Sequence, residues 1–184
     1  MPIAGTIGEA ERSYIPAFGK RWLLPLYDPF LWLLGADRAK RPLIEQAGIE
    51  SGFRVLDIGC GTGSMTVVIK KLYGDADVVG MDPDPPALSI CKRKAKRAGL
   101  SIEFDRGFSD HMPYADASFD RVLSSFMFHH LEADEKSATL SDIRRVLKAG
   151  SSLHLPTSLP RIPMWATDTC SIEPARWPSG SRAE

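Results

Sequence analysis

The sequence predicts an α/β fold, a mainly parallel sheet covered by helices on both faces. Three observations predict it. Short apolar runs alternate with stretches whose apolar residues recur at helical spacing. A glycine cluster follows the first run directly. The breaks between elements are rich in Gly, Pro, Asp and Ser. A strand–helix–strand–helix order is what a parallel sheet with crossover helices requires. Right-handed crossovers then restrict its topology.

Taken in order, residues 1–8 read as a loose end without the basic–apolar–small order of a signal peptide. An aromatic, proline-bearing segment follows with Tyr14, Phe18, Trp22, Tyr27, Phe30 and Trp32. Its apolar part, 22–34, is shorter than the roughly 20 residues that span a bilayer, and Pro25, Asp28 and Pro29 interrupt it. It reads as a helical cover packed on the domain or as a substrate lid or membrane-touching element. Tyr14 and Tyr27 line a chamber beneath it or simply anchor it. Residues 38–47 form a helix stopped by Gly48.

Residues 54–58 form the first strand and 59–63 the glycine loop. Ser64 then caps a helix carrying Met65, Val68, Ile69 and Leu72. Residues 77–81 form a second strand. Pro85 and Pro86 open a helix that Gly99 stops. Residues 101–105 are a third strand, 107–118 a loop and 121–126 a fourth strand. Asp134 or Ser137 opens a helix that Gly150 closes, and 152–155 form a fifth strand. The domains expected are a cover or lid (1–48), a ligand-binding core (49–155) and an irregular Pro-rich tail (156–184).

Composition sets bounds. With 43% hydrophobic and 25% charged residues, 184 residues suffice for one soluble domain with a sizeable core. The 23 basic and 23 acidic side chains cancel, so nothing marks nucleic acid as the main partner. The run Cys91-Lys92-Arg93-Lys94-Ala95-Lys96-Arg97 reads as a solvated helix face. Three cysteines, Cys60, Cys91 and Cys170, are far apart with no CxxC pair, which argues against zinc and against a disulfide scaffold. His129 and His130 find no third ligand at a convincing spacing, so no metal is expected. A reduced compartment, the cytoplasm, fits this cysteine usage.

The chemistry centres on Val55-Leu56-Asp57-Ile58-Gly59-Cys60-Gly61-Thr62-Gly63. In a doubly wound sheet such a loop lies at the strand ends where ligands bind. The dinucleotide fingerprint Gly-x-Gly-x-x-Gly/Ala fails: its third position is Ser64 counted from Gly59 and Thr66 counted from Gly61. A P-loop fails for want of Gly-Lys-Ser/Thr. Asp57, two residues before Gly59, would repel a pyrophosphate and attract an ammonium or sulfonium group. S-adenosylmethionine has both positive groups and no phosphate. Asp82 ends the second strand, about 20 residues on, where a carboxylate faces the ribose hydroxyls of a bound nucleoside.

With these residues in view, the chain resembles the class I methyltransferases of the small-molecule and quinone type. The resemblance runs from about residue 53 to 155. Val55 through Gly63 resembles the family's first motif, and Val79-Gly80-Met81-Asp82 its acidic second-strand motif. Gly107-Phe108-Ser109-Asp110 with Met112-Pro113-Tyr114 resembles the adenine loop. Ser118-Phe119-Asp120-Arg121-Val122 resembles the fourth-strand motif, and Arg144-Arg145-Val146-Leu147-Lys148 the helix before the fifth strand. The resemblance implies a Rossmann-like three-layer sandwich and S-adenosylmethionine as cofactor. It implies that Asp57, Gly59, Cys60, Gly61 and Gly63 hold the methionine part and that Asp82 and Pro83 flank the ribose. Phe108, Ser109 and Asp110 would serve the adenine, and Ser124 would lie near the methyl group. The implied reaction is methyl transfer to a small or apolar acceptor; a non-catalytic nucleoside-binding or interaction domain is the alternative.

Methyl transfer from a sulfonium is an in-line displacement in which alignment supplies much of the catalysis. A base is needed only where the acceptor must lose a proton. Candidates are His129, His130 and Tyr27, with His111 in the adenine loop; packing and helix capping are the competing roles of the histidines. Peripheral membrane contact fits an apolar acceptor. After Leu155 the chain departs from the family. Pro156, Pro160, Pro163, Pro174 and Pro178 interrupt it, and Ala149-Gly150-Ser151 stands where relatives read Pro-Gly-Gly. The tail reads as a truncation or unrelated sequence, with the family's last strands missing and the fifth strand left without its usual neighbour.

Overall fold

The architecture follows from a strand buried on both faces. In the computed structural model, which describes residues 36–125, 127–156 and 169–172, β1 (Arg54–Ile58) lies inside a six-stranded sheet. Around it run β2 (Asp77–Asp82), β3 (Glu103–Arg106), β4 (Phe119–Leu123), β5 (Leu147–Pro156) and β6 (Thr169–Ile172), in the order β3-β2-β1-β4-β5-β6. The first five are parallel; β6 runs antiparallel to β5. The helices are α1 (Ala36–Gln46), α2 (Ser64–Leu72), α3 (Pro85–Arg97) and α4 (Ala133–Val146), with a 3-10 turn at Phe128–His130.

Alternation along β1 sorts the layers, because successive side chains point to opposite faces. Val55 packs with Leu43 and Ile44 of α1 and Met65 and Ile69 of α2. Leu56 and Ile58 pack with Ile143 and Val146 of α4. Leu88, Cys91 and Ala95 of α3 pack on Phe104 of β3. Helices thus cover both faces, the three-layer sandwich expected.

Several boundaries differ from the sequence reading. α2 begins at Ser64 itself, and its N-cap is Gly63 at φ 74°, a conformation glycine adopts without strain. β4 spans Phe119–Leu123 rather than 121–126, because its ladder with β1 ends at the pair Asp57 and Leu123. α4 opens at Ala133 through a reciprocal cap between Glu132 and Glu135, and Gly150 (φ 76°) lies inside β5. Within the irregular tail expected after Leu155 one short strand is described: β6 pairs antiparallel with β5 through Cys170 opposite Leu155 and Ile172 opposite Leu153, so that the edge of β5 is not bare. Residues 1–35, with Tyr14, Tyr27 and the stretch 22–34, lie outside the described residues.

The 107–118 loop is fastened to α4 chiefly through Arg145. Arg145 donates to the carbonyls of Met112 (3.0 Å) and Tyr114 (2.6 Å) and to the carboxylates of Asp142 (2.6 Å) and Asp116 (2.9 Å). The amide of Met112 in turn donates to Asp142 (2.6 Å). On β5, His154 is buried and hydrogen-bonded to Ser152 (2.8 Å); burial, with the Arg121 charge, lowers its pKa to about 4.

Candidate functional site

The strand order reverses between β1 and β4, and ligands of doubly wound sheets bind beyond the strand ends at that place. The glycine loop lies there. Gly59, Gly61 and Gly63 all have left-handed backbones, with φ of 66°, 55° and 74°. Two of them also need the missing Cβ. A methyl group on Gly59 would overlap Met127 Cβ, and one on Gly63 would come within 2.8 Å of Cys91 Sγ. The amides of Gly59 and Cys60 donate to Met81 of β2 (2.8 and 3.0 Å), and Gly63 N–H donates back to Cys60 (2.8 Å). The loop is a fixed turn docked on the neighbouring strand.

Asp57 stands beneath this turn and is completely buried. Its Oδ2 accepts from the Thr66 hydroxyl of α2 at 2.6 Å, while Oδ1 has no hydrogen-bond partner among the described residues. Burial raises its pKa to about 7; the Thr66 hydrogen bond and the Lys40 charge pull the other way, and Asp82 adds to the rise. A buried carboxylate with an unpaired oxygen costs free energy unless a donor arrives. A cationic donor suits it best, since it also favours the ionised form.

Asp82 ends β2 and is almost fully buried. Its Oδ2 accepts the Gly61 amide (2.8 Å) and its Oδ1 the Asp84 amide (2.9 Å), so this carboxylate shapes the loop as well as facing it. Each oxygen keeps a lone pair for a further donor. Burial raises its pKa, against the pull of the Asp84 and Gly61 amides. Ser124, one residue past β4, is buried, with its amide donating to the His154 carbonyl (3.2 Å) and its Oγ without a partner among the described residues. The unpaired Asp57 Oδ1 and Ser124 Oγ therefore belong to neighbouring strand ends. That is what a polar, cation-bearing ligand would satisfy, and what a phosphate would not.

The other expected residues fall as follows. Pro83 follows Asp82 directly, half-buried, before α3. Cys60 is buried beside Cys91; the Cys91 contact and burial hold its thiol well above the usual range, so it packs rather than reacts. Phe108, Ser109 and Asp110 are half-buried in the loop after β3. Ser109 Oγ hydrogen-bonds Thr139 of α4 (2.8 Å) and reaches Met127 Sδ (3.9 Å). His111 and His130 are exposed to solvent, which weakens both as bases for a buried transfer. His129 lies in the 3-10 turn. Among the described residues no His/Cys/Asp/Glu group has metal-site geometry. A separate cavity of about 450 Å³ is lined by Arg54 and Glu103, by Asp105, and by Tyr114 of the 107–118 loop; Asp57 is not part of its lining.

Three contributors escaped the sequence reading. Thr66 was visible only as a helix residue. Met127 closes over Gly59 by tertiary packing alone. Lys40 left a signal, a lysine in the stripe Lys40, Leu43, Ile44 and Ala47 that α1 otherwise fills with apolar residues.

Comparison with known proteins agrees with this geometry. The family described as "Methyltransferase domain" matches residues 55–150, just over half of the chain. A demethylmenaquinone methyltransferase of Thermus thermophilus is 36% identical over 134 residues, covering 71% of this chain and 60% of the relative. A fatty-acid O-methyltransferase of Mycolicibacterium smegmatis is 32% identical over 125 residues, covering 65% and 43%. In fold, a SAM-dependent methyltransferase from Aquifex aeolicus superposes with a TM-score of 0.59 at 22% identity, covering 67% of this chain and 68% of that one. The chain spans about half to three-fifths of the length of the curated relatives it matches. No described helix is long and apolar enough to cross a membrane. The chain belongs to the methyltransferase-domain family.

Proposed function

We propose that this domain binds S-adenosylmethionine and transfers its methyl group to a small or apolar acceptor. The observation that carries the reading is Asp57, fully buried beneath three left-handed glycines with one carboxylate oxygen unpaired among the described residues. In this reading Asp57 Oδ1 accepts from the ammonium of the methionine part, and the main chain of Gly59 to Gly63, with Cys60, forms the floor beneath it. Asp82 uses its remaining lone pairs for the ribose hydroxyls, with Pro83 alongside. Asp110 accepts from the adenine amino group, and Phe108 and Ser109 form the wall there. Ser124 lies by the methyl group.

The bound cofactor supplies a methyl group on a positively charged leaving group. The protein's task is then to hold the acceptor in line and keep water away. The relatives named for demethylmenaquinone and fatty acids support an acceptor with an apolar body. Residues 1–48 would form its cover or lid over the 49–155 core, with 156–184 as the tail, and peripheral membrane contact would serve its delivery. Where the acceptor must lose a proton, His129 is the favoured base, with Tyr27 second.

The test is transfer of a tritiated methyl group from S-adenosylmethionine to quinols and fatty acids of graded chain length, read in the organic extract. Label appearing with one of these classes, and lost in Asp57→Ala, supports the reading. Tight binding of S-adenosylhomocysteine without transfer to either class would favour a non-catalytic nucleoside-binding domain.

A further inference from the structure

Two neighbouring helices carry charge of one sign. α3 bears five cations and α2 two, and neither bears a carboxylate, although the whole chain balances 23 basic against 23 acidic side chains. Some of these cations are spent inside the fold. Lys70 donates to the carbonyls of Gly74 (2.9 Å) and Ala76 (2.6 Å), and Lys94 to the Ser64 hydroxyl (3.1 Å). Lys71, Lys92, Arg93, Lys96 and Arg97 are exposed, and among the described residues none of them pairs with a carboxylate. Asp77 and Glu103, at the starts of β2 and β3, are engaged by Arg54 instead. Lys92, Lys96, Arg93 and Arg97 share an arc of about 140° on α3, opposite the buried Leu88, Cys91 and Ala95. Lys71 adjoins this arc, since it lies about two turns along α2 from Ser64, on the flank that Lys94 reaches. Attraction to the helix dipole accounts for Lys96 and Arg97 in the last turn, but not for Lys92 and Arg93 before it. Lys92 with Lys96, and Arg93 with Arg97, are like charges four residues apart, which weakens a helix. The pattern costs the helix and gains only from an anion outside it.

We propose that the exposed face of α3, with Lys71, docks on a bilayer surface of anionic phospholipid. The choice of a bilayer rests on the apolar acceptor proposed above, which partitions into membranes. The charge pattern stands without it. The face is the flank of one helix with its cations in one arc, as basic amphipathic helices present them to anionic membranes. α3 has no aromatic side chain, whereas single-stranded nucleic acid is held by stacking its bases on aromatics. Leu72 follows Lys71 at the end of α2 and is 45% exposed, the one large apolar side chain so exposed among the described residues. It is placed to enter the headgroup boundary beside the cations. α3 begins three residues past Asp82. Laid along a membrane, it holds the rim of the ligand crevice near the headgroups.

The full chain is sedimented, without cofactor, with vesicles of phosphatidylcholine alone and with vesicles of phosphatidylcholine and phosphatidylglycerol in equal parts. The wild type should bind the anionic vesicles and not the neutral ones, and salt should weaken that binding. Lys92→Gln combined with Lys96→Gln should weaken it about 20- to 30-fold, at about fivefold per cation. Arg93→Gln combined with Arg97→Gln should do the same. Neither pair should lower the melting temperature, because each removes a like-charge contact, so lost binding is not lost folding. Lys136→Gln combined with Arg144→Gln removes the same charge from α4, on the opposite face of the sheet, and should change binding by less than about twofold. Binding to both vesicle types alike, binding to neither, or equal weakening by the α4 pair would overturn the proposal. Tighter capture of a single-stranded oligonucleotide than of anionic vesicles would also overturn it and give the face to nucleic acid. S-adenosylhomocysteine titrated against the same protein separates the two readings. Vesicle binding absent with S-adenosylhomocysteine binding present sinks the docking alone, and the reverse sinks the cofactor reading alone.

Discussion

Replacing Asp57 by asparagine should stabilise the free protein and abolish the site. A rise in pKa from 3.8 to about 7 corresponds to roughly 4 kcal/mol against the ionised carboxyl at pH 8. The attraction of Lys40 and the Thr66 hydrogen bond are already contained in that figure. Asparagine keeps the shape and an oxygen for Thr66 but carries no charge. Its amide needs an acceptor of its own, so the expected gain is about 2–4 kcal/mol at pH 8. The sign with pH is fixed. A carboxyl whose folded pKa lies above its unfolded value costs stability as pH rises from 3.8 toward 7. The advantage of Asp57→Asn should therefore shrink to under about 2 kcal/mol at pH 5. Guanidinium denaturation at the two pH values measures it, and calorimetry with S-adenosylhomocysteine should show binding lost. In the wild type, affinity for that ligand should fall about tenfold per pH unit below 7, because the ammonium selects the ionised carboxyl. An Asp57→Asn protein that is less stable than wild type at pH 8, or that binds as tightly, would refute the reasoning.

Three further outcomes follow from the same structure. Gly63→Ala meets both a left-handed backbone and Cys91 Sγ at 2.8 Å, so it should cost about 2–5 kcal/mol. Gly61→Ala meets the backbone conformation with no atom of the described residues within 4 Å and should cost only about 1–2 kcal/mol; thermal melts of the two isolate the overlap. Arg145→Met leaves the Met112 and Tyr114 carbonyls without their donor and should destabilise by about 2–3 kcal/mol, with hydrogen exchange faster across 107–118. His154, with a pKa near 4, stays neutral in the fold where the unfolded chain would protonate. Stability should thus be lost as pH falls from 6.5 toward 4, by up to about 3 kcal/mol. His154→Leu should flatten that acid limb in denaturation titrations.

The elements that sequence made legible are those whose cause is local. β1 was readable because Arg54-Val55-Leu56-Asp57-Ile58 is a short apolar run ending at glycines. α3 was readable because two prolines open it and Gly99 (φ 67°) follows it. Asp57 and Asp82 could be placed at the loop because Asp82 ends its strand and Asp57 stands one residue before the end of its own. What pairing decides was not readable. The sequence extends the fourth strand to residue 126, yet β4 ends at Leu123, where its ladders with β1 and β5 end. Thr-Cys-Ser-Ile at 169–172 is too short and polar to show alternation, and β6 owes its existence to the open edge of β5. Contacts across layers were equally hidden. Thr66 reaches Asp57 from α2, Met127 occupies the space a Gly59 side chain would need, and Lys40 arrives from a helix before β1. Exposure of His111 and His130 is likewise a property of the fold, and it weakens two bases the sequence offered.

The central claim is that the Asp57–glycine-loop crevice takes a cationic nucleoside rather than a phosphate-bearing one. Calorimetric titration of the full chain with S-adenosylhomocysteine, beside NADH and ATP, tests it most directly. The account predicts saturable one-site binding of S-adenosylhomocysteine that is lost in Asp57→Asn and weakened in Asp82→Ala, with no binding of NADH or ATP. Well-folded protein that ignores S-adenosylhomocysteine, or that binds NADH in its place, would contradict it.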